Sequence, residues 1–133
     1  MRISSGRAAG APSELRGETF TGRVWVDPVL GAEDEVSVND VFFEPGARTH
    51  WHTHAIGQVL YVTHGAGFVR RRDGAGGPIK AGDVVHISPG EEHWHGAAPD
   101  SYLLHVAISL GEADWLDAVT DDEYAAAGEE SPG

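Results

Sequence analysis

The chain has 133 residues, enough for one hydrophobic core and too few for two domains. Its 21 acidic and 9 basic side chains give a formal charge of −12, which leaves no broad basic face for nucleic acid or an anionic membrane. With no cysteine there can be no disulfide, thiolate nucleophile or cysteine-type zinc site, so any metal must be held by histidine, carboxylate or amide groups.

Residues 1–16 mix Ser, Gly, Ala and Pro without periodicity and are expected to form a flexible arm, with the folded domain over 17–133. Met1 to Gly10 lacks the hydrophobic core of a signal peptide, and no apolar run is long enough for a membrane helix; a cytoplasmic protein is expected. Phe20 to Val26 alternates apolar with polar residues and is expected to stop at Asp27-Pro28, with Leu30 to Glu35 as a connection. Val36 to Phe43 resumes an extended pattern that ends at the turn residues Glu44-Pro45-Gly46.

The next stretch, Arg48-Thr49-His50-Trp51-His52-Thr53-His54, concentrates imidazoles. If it is extended, His50, His52 and His54 share a face, and two of them can reach one ion. A turn at Ala55-Ile56-Gly57 would bring Gln58 back beside them as an oxygen donor. Val59 to Thr63 then reads as a strand, Gly65-Ala66-Gly67 as a reversal, and Phe68 to Asp73 as the returning strand. Its arginines, Arg70, Arg71 and Arg72, are expected at a solvated edge, and Gly74 to Pro78 at a flexible turn.

Asp83 to Ile87 is a further strand, followed by the Pro89-Gly90 turn and a second His-x-His pair at His93 and His95. Tyr102 to Leu110 is expected as the last strand, with Leu103, His105, Ala107 and Ser109 on one face. Helical spacing of Trp115, Leu116 and Val119, and the capping box Thr120-Asp121-Asp122-Glu123, predict a short helical tail. About nine short strands without intervening helices predict an all-β, antiparallel sandwich or barrel. His50, His64 and His86 are expected to lie outside any ligand set, and Trp51 and Trp94 to face away from it as packing or dimer-contact residues.

The two histidine segments resemble the paired motifs of the cupin superfamily. Gly46, His52, His54, Gln58 and Gly65 fall at the spacing of the first motif, and Gly82, Gly90 and His93 at that of the second. Three positions depart from the pattern: Gln58 replaces the usual glutamate, Ser88 replaces a proline that is displaced to Pro89, and Ala97 replaces an asparagine. Phe43-Glu44-Pro45-Gly46-Ala47-Arg48-Thr49, Trp51-His52-Thr53-His54 and His93-Trp94-His95-Gly96-Ala97-Ala98-Pro99 are similar to the bacterial cupin hydroxynitrile lyases. The resemblance implies a single-domain jelly-roll β-barrel that cleaves cyanohydrins reversibly to an aldehyde and hydrogen cyanide. It further implies His52, His54, Gln58 and His93 as ligands of Mn2+, while imidazole and amide donors by their chemistry also accept Fe2+, Zn2+, Ni2+ or Cu2+. It places His95 and His105 in the cavity as acid/base candidates and Val41 and Ser109 in its lining. A homodimer is expected with this fold, the substrate being a small molecule.

Gln58 carries a physical consequence of its own. Three neutral imidazoles and a neutral amide leave the charge of a divalent ion uncancelled, so such a site favours anions and polarises a bound hydroxyl. The same open centre would also suit a dioxygenase acting on a dicarbonyl or phenolic substrate. A barrel that binds a small molecule without turning it over is the remaining alternative.

Overall fold

The structure, a computed structural model, describes residues 1–5 and 12–129. Among the described residues, twelve strands and one helix form an almost closed antiparallel barrel. Strands β1 (Glu14–Arg16), β3 (Val24–Glu33), β4 (Val36–Phe43), β11 (Leu103–Leu110) and β9 (Val84–Ile87) make one wall. Strands β2 (Phe20–Thr21), β5 (Arg48–Thr49), β6 (His52–His54), β8 (Gly76–Lys80), β10 (His93–Ala97) and β12 (Ala113–Trp115) make the other. Strand β7 (Gly57–Arg71) belongs to both: its first half runs between β9 and β11 in one wall and its second half between β8 and β10 in the other. Alternation fills the interior with Val24, Val26, Val41, Phe43, Leu60, Val62 and Leu103, all buried.

Several sequence expectations change here. No reversal occurs at Gly65-Ala66-Gly67; β7 runs straight through for 15 residues. The glycines serve close approach instead. A Cβ at Gly65, whose φ is 82°, would sit 1.9 Å from the Tyr102 carbonyl oxygen, and one at Gly67 would sit 2.0 Å from that of Gly96. They let β7 cross from one wall to the other while neighbouring backbones press on it. The reversal comes later, at Arg71 to Ala75, so Gly76, Gly77 and Pro78 belong to β8, an edge strand where proline need not donate.

Likewise β3 does not stop at Asp27-Pro28. Its pairing partner β1 covers only Val24–Val26, so Pro28 lies on an open edge, and β3 continues with register shifts to Glu33. Asp34 and Glu35, both at positive φ, close the hairpin to β4. Of the N-terminal arm, residues 6–11 lie outside the described residues, while Glu14–Arg16 pairs as β1 on the edge of β3. Arg70 is not solvated: it is buried, and its Nη2 donates to the Ala127 carbonyl 3.1 Å away. Leu103–Leu110 is not the last strand either, because Ala113–Trp115 pairs with β6 rather than joining the helical tail.

The tail helix, α1 (Asp121–Glu129), starts at the expected capping box: Glu123 N donates to Thr120 Oγ1 at 3.1 Å and Thr120 N to Glu123 Oε1 at 2.9 Å. It covers a second apolar cluster of Trp51, Trp94, Val119 and Ala127, which puts both tryptophans in packing roles. Buried Arg48 ties it down through the Val119 carbonyl at 3.1 Å and Asp121 Oδ1 at 2.9 Å. Among the described residues no helix is long and apolar enough to cross a membrane.

Candidate metal centre

The histidine stretch is not one continuous strand. The chain kinks at His50-Trp51, where Trp51 N donates to the Asp117 carbonyl and Leu116 N to the Trp51 carbonyl, so β5 and β6 separate. The kink shifts the alternation: Thr49, His52 and His54 line the cavity, while His50 is left out of it. His93 pairs in register with His52 across β10 and β6. Two residues on, His95 faces the same interior, and His105 reaches it from β11. His64 and His86 lie exposed.

The hydrogen bonds assign the ring nitrogens. His52 Nδ1 lies 2.9 Å from the His50 carbonyl and His93 Nδ1 2.8 Å from that of Glu91, so both must donate there and keep Nε2 as a lone pair. Gln58 Nε2 donates to Ser109 Oγ at 3.0 Å, which turns Gln58 Oε1 inward, 3.2 Å from His93 Nε2. Two acceptors thus face each other in a buried pocket. Both ring nitrogens of His54 and Nε2 of His95 have no hydrogen-bond partner. Unpaired buried groups of this kind are costly unless something binds them.

A divalent cation fits that requirement. Donors about 2.1 Å from a shared ion lie roughly 3.0–3.5 Å apart, which matches the Gln58 to His93 separation. The ligand atoms of His52, His93 and His95 all lie within 4.8 Å of one another. His95 is also engaged on its other side, where His105 Nε2 is 3.0 Å from its Nδ1. Phe43 packs against both of those rings, with centroids 5.8 Å and 5.2 Å away. Val41 and Ser109 line the cavity, which measures about 180 Å³.

Burial sets the protonation states. It pushes His54 and His105 down to about 4 and holds His52, His93 and His95 below the usual histidine range, with His93 further lowering His52 and His54 and His105 further lowering His95. At neutral pH all five are uncharged and have lone pairs to offer. In the metal-free protein the folded state therefore resists protonation, while the unfolded chain takes up protons near the ordinary value of 6.5. Stability is full above that pH and falls as pH drops from about 6.5 towards 4, by about 1.4 kcal/mol per pH unit for each histidine that stays neutral only when folded. Urea unfolding midpoints across this window should show the fall; a constant midpoint would contradict the assignment.

Sequence reasoning did not find Trp115 or Arg16. Trp115 stacks on His52 with ring centroids 4.4 Å apart and an interplanar angle of 27°, and it lines the cavity with Phe20. Its three-residue strand is too short to show an alternation, and its spacing to Leu116 and Val119 mimics a helix.

A barrel with paired histidine segments and inward imidazoles defines a class, and the family comparison agrees: residues 39–108 match the cupin domain, and the chain belongs to the cupin family. It is 47% identical over 129 residues to an (R)-mandelonitrile lyase of Granulicella tundricola, covering 92% of this chain and 95% of that protein. A crystal structure of a cupin-like protein from Thermotoga maritima shares 43% identity with a TM-score of 0.81, covering 98% of both chains. The polyketide cyclase RemF of Streptomyces resistomycificus shares the fold, with a TM-score of 0.71 at 18% identity over 93% of this chain and 91% of its own.

Proposed function

We propose that this protein is a metal-dependent hydroxynitrile lyase, which splits a cyanohydrin into an aldehyde and hydrogen cyanide. The observation that carries the reading is the facing pair of acceptors, Gln58 Oε1 and His93 Nε2, beside an unpartnered His95 Nε2. The similarity to a mandelonitrile lyase supports the reaction class. His52, His54, Gln58 and His93 are the proposed ligands of a divalent ion, with Mn2+ as the proposed occupant. That ion would supply Lewis acidity, lowering the pKa of a hydroxyl held beside it.

The remaining work falls to the chain. His95 Nε2 accepts the hydroxyl proton; the carbon–carbon bond to the nitrile breaks, its electron pair leaves with cyanide, and the C=O bond forms. The proton on His95 then passes to the cyanide carbon, giving hydrogen cyanide. His105 Nε2 accepts from His95 Nδ1–H and so keeps the His95 lone pair aimed at the cavity. A depressed pKa makes the His95 imidazolium a strong acid, suited to returning the proton. The apolar Val26 and Val41 and the aromatic Phe20 and Trp115 exclude water around the reacting carbon.

A homodimer belongs to the same reading. The outward faces of β4, β7 and β11 present Phe42, Tyr61, Leu104, Val106 and Ile108, none of them fully buried, which is unusual for a lone domain. The test is cyanide release from mandelonitrile by protein stripped with a chelator and reloaded with Mn2+, with the molar mass of the same sample taken by light scattering. Release that depends on the metal, without oxygen uptake, is expected. Oxygen consumption on a dicarbonyl, with no cyanide formed, would replace the lyase reading with the oxygenase one.

A further inference from the structure

The cavity has a charged mouth. Exposure rises from the buried His52 and His95 at its base to Phe20 and then to Trp115 and Arg16 at its opening. Arg16 pairs in register with Val24, which is fully buried, so its side chain lies on the interior face of the sheet, at the barrel rim. The chain carries 21 acidic residues, yet none of the described residues lining this cavity is an Asp or Glu. With the histidines neutral, Arg16 is the one permanently charged group among them. In a protein of net charge −12 the residues lining this cavity thus include a guanidinium and no carboxylate, while Glu112 lines the adjoining opening beside His54, Ser109 and Trp115.

Arg16 is partly engaged already: its Nη2 donates to Glu14 Oε2 at 2.8 Å. Both side chains are about half exposed, so this pair is weak and can yield to a better partner. A guanidinium offers five donors in a planar fork, of which that bond uses one, and the fork matches a carboxylate. Between the mouth and the base stand flat walls. Phe20 and Trp115 pack on one another with ring centroids 5.7 Å apart and an interplanar angle of 54°, and Trp115 stacks on His52. The cavity therefore reads, from inside out, as a polar reacting end, an aromatic wall and a cation.

We propose that Arg16 is a specificity-determining residue: the site takes aromatic hydroxynitriles, and the matching aldehydes, that carry a carboxylate on the ring at the end remote from the reacting carbon. The inference rests on the lyase reading for the reacting end and stands on its own for the anionic end. The ring lies against the wall of Trp115 and Phe20, and Arg16 engages the carboxylate in place of Glu14.

Binding and turnover test it separately. Calorimetric titration of 4-formylbenzoate and of benzaldehyde into metal-free and Mn2+-loaded protein measures recognition without chemistry. In the Arg16→Gln variant the dissociation constant for 4-formylbenzoate should rise about tenfold or more, while the Glu14→Gln variant should bind it more tightly than the parent. In turnover, the ratio of kcat/KM for the cyanohydrin of 4-formylbenzoate to that for mandelonitrile should fall about tenfold in Arg16→Gln, with the loss in KM. A dissociation constant or a ratio that moves by less than about twofold in Arg16→Gln overturns the proposal. Failure of the parent protein to cleave mandelonitrile would instead sink the lyase reading and leave the binding result to be judged by itself.

Discussion

Replacing His93 with alanine is expected to empty the centre and cut cyanide release by about a thousandfold or more. His93 is the residue on which both strand pairing and donor geometry converge. It lies opposite His52 in the β10–β6 register, its Nδ1 is committed to the Glu91 carbonyl, and its Nε2 faces Gln58 Oε1 at 3.2 Å. The substitution removes the ring nitrogen that faces the Gln58 oxygen and breaks the cluster with His52 and His95. Far-UV circular dichroism should be unchanged, because the backbone pairing of β10 with β7 does not depend on the ring. Elemental analysis is the deciding readout. A His93→Ala protein that retains a full equivalent of metal would refute the ligand assignment, whatever its activity.

The second large effect is expected at His95. His95→Ala should lower kcat about a hundredfold, the usual share of a positioned acid/base group, and keep its metal. The reason is the pairing with His105: one ring nitrogen of His95 is committed to His105 Nε2 at 3.0 Å, and the other points unpartnered into the cavity. That position suits a group that carries a proton between substrate oxygen and cyanide. His95 also lies near enough to His52 and His93 to serve as a ligand. The two roles separate cleanly by experiment. Turnover lost with metal content intact marks a proton carrier, and turnover lost together with metal marks a ligand, which would move His54 or Gln58 out of the proposed set. His105→Gln should fall between the parent and His95→Ala, since it disturbs only the partner that orients His95.

Much of the centre was visible in one dimension because strand alternation is local. His52 and His54 are two residues apart on one strand, so the pleat alone puts both on one face, and the turn that brings the chain back at Gln58 is marked by Gly57 at positive φ. The faces of β11 were equally plain, with Leu103, His105 and Ala107 buried and Leu104, Val106 and Ile108 less so. The capping box at Thr120 was legible for the same reason, being complete within four residues. What alternation could not reveal is where it breaks. The kink at His50-Trp51 depends on the Asp117 and Leu116 backbone, far along the chain, and it brings Thr49 rather than His50 to the cavity.

Glycine was the residue most easily misjudged. Gly65 and Gly67 look like a turn, since the same freedom that permits a reversal also permits another backbone to come close. Only the strands packed against them, β11 and β10, decide between the two uses. Trp115 and Arg16 were missed for a related reason: each sits on a strand of three residues that exists because a neighbouring strand offers an edge.

The amino-acid order by itself determined that the chain is all-β, that any metal would have to be held without cysteine, and which four residues stand at cupin spacing, because those properties follow from composition, from alternation along strands and from motif spacing. The tertiary structure alone decided that Gln58 Oε1 meets His93 Nε2, that His95 backs onto His105, and that Arg16 and Trp115 frame the entrance. Those contacts join residues from different strands, and the distance between such residues is set by register, kink and barrel closure, which no local pattern encodes.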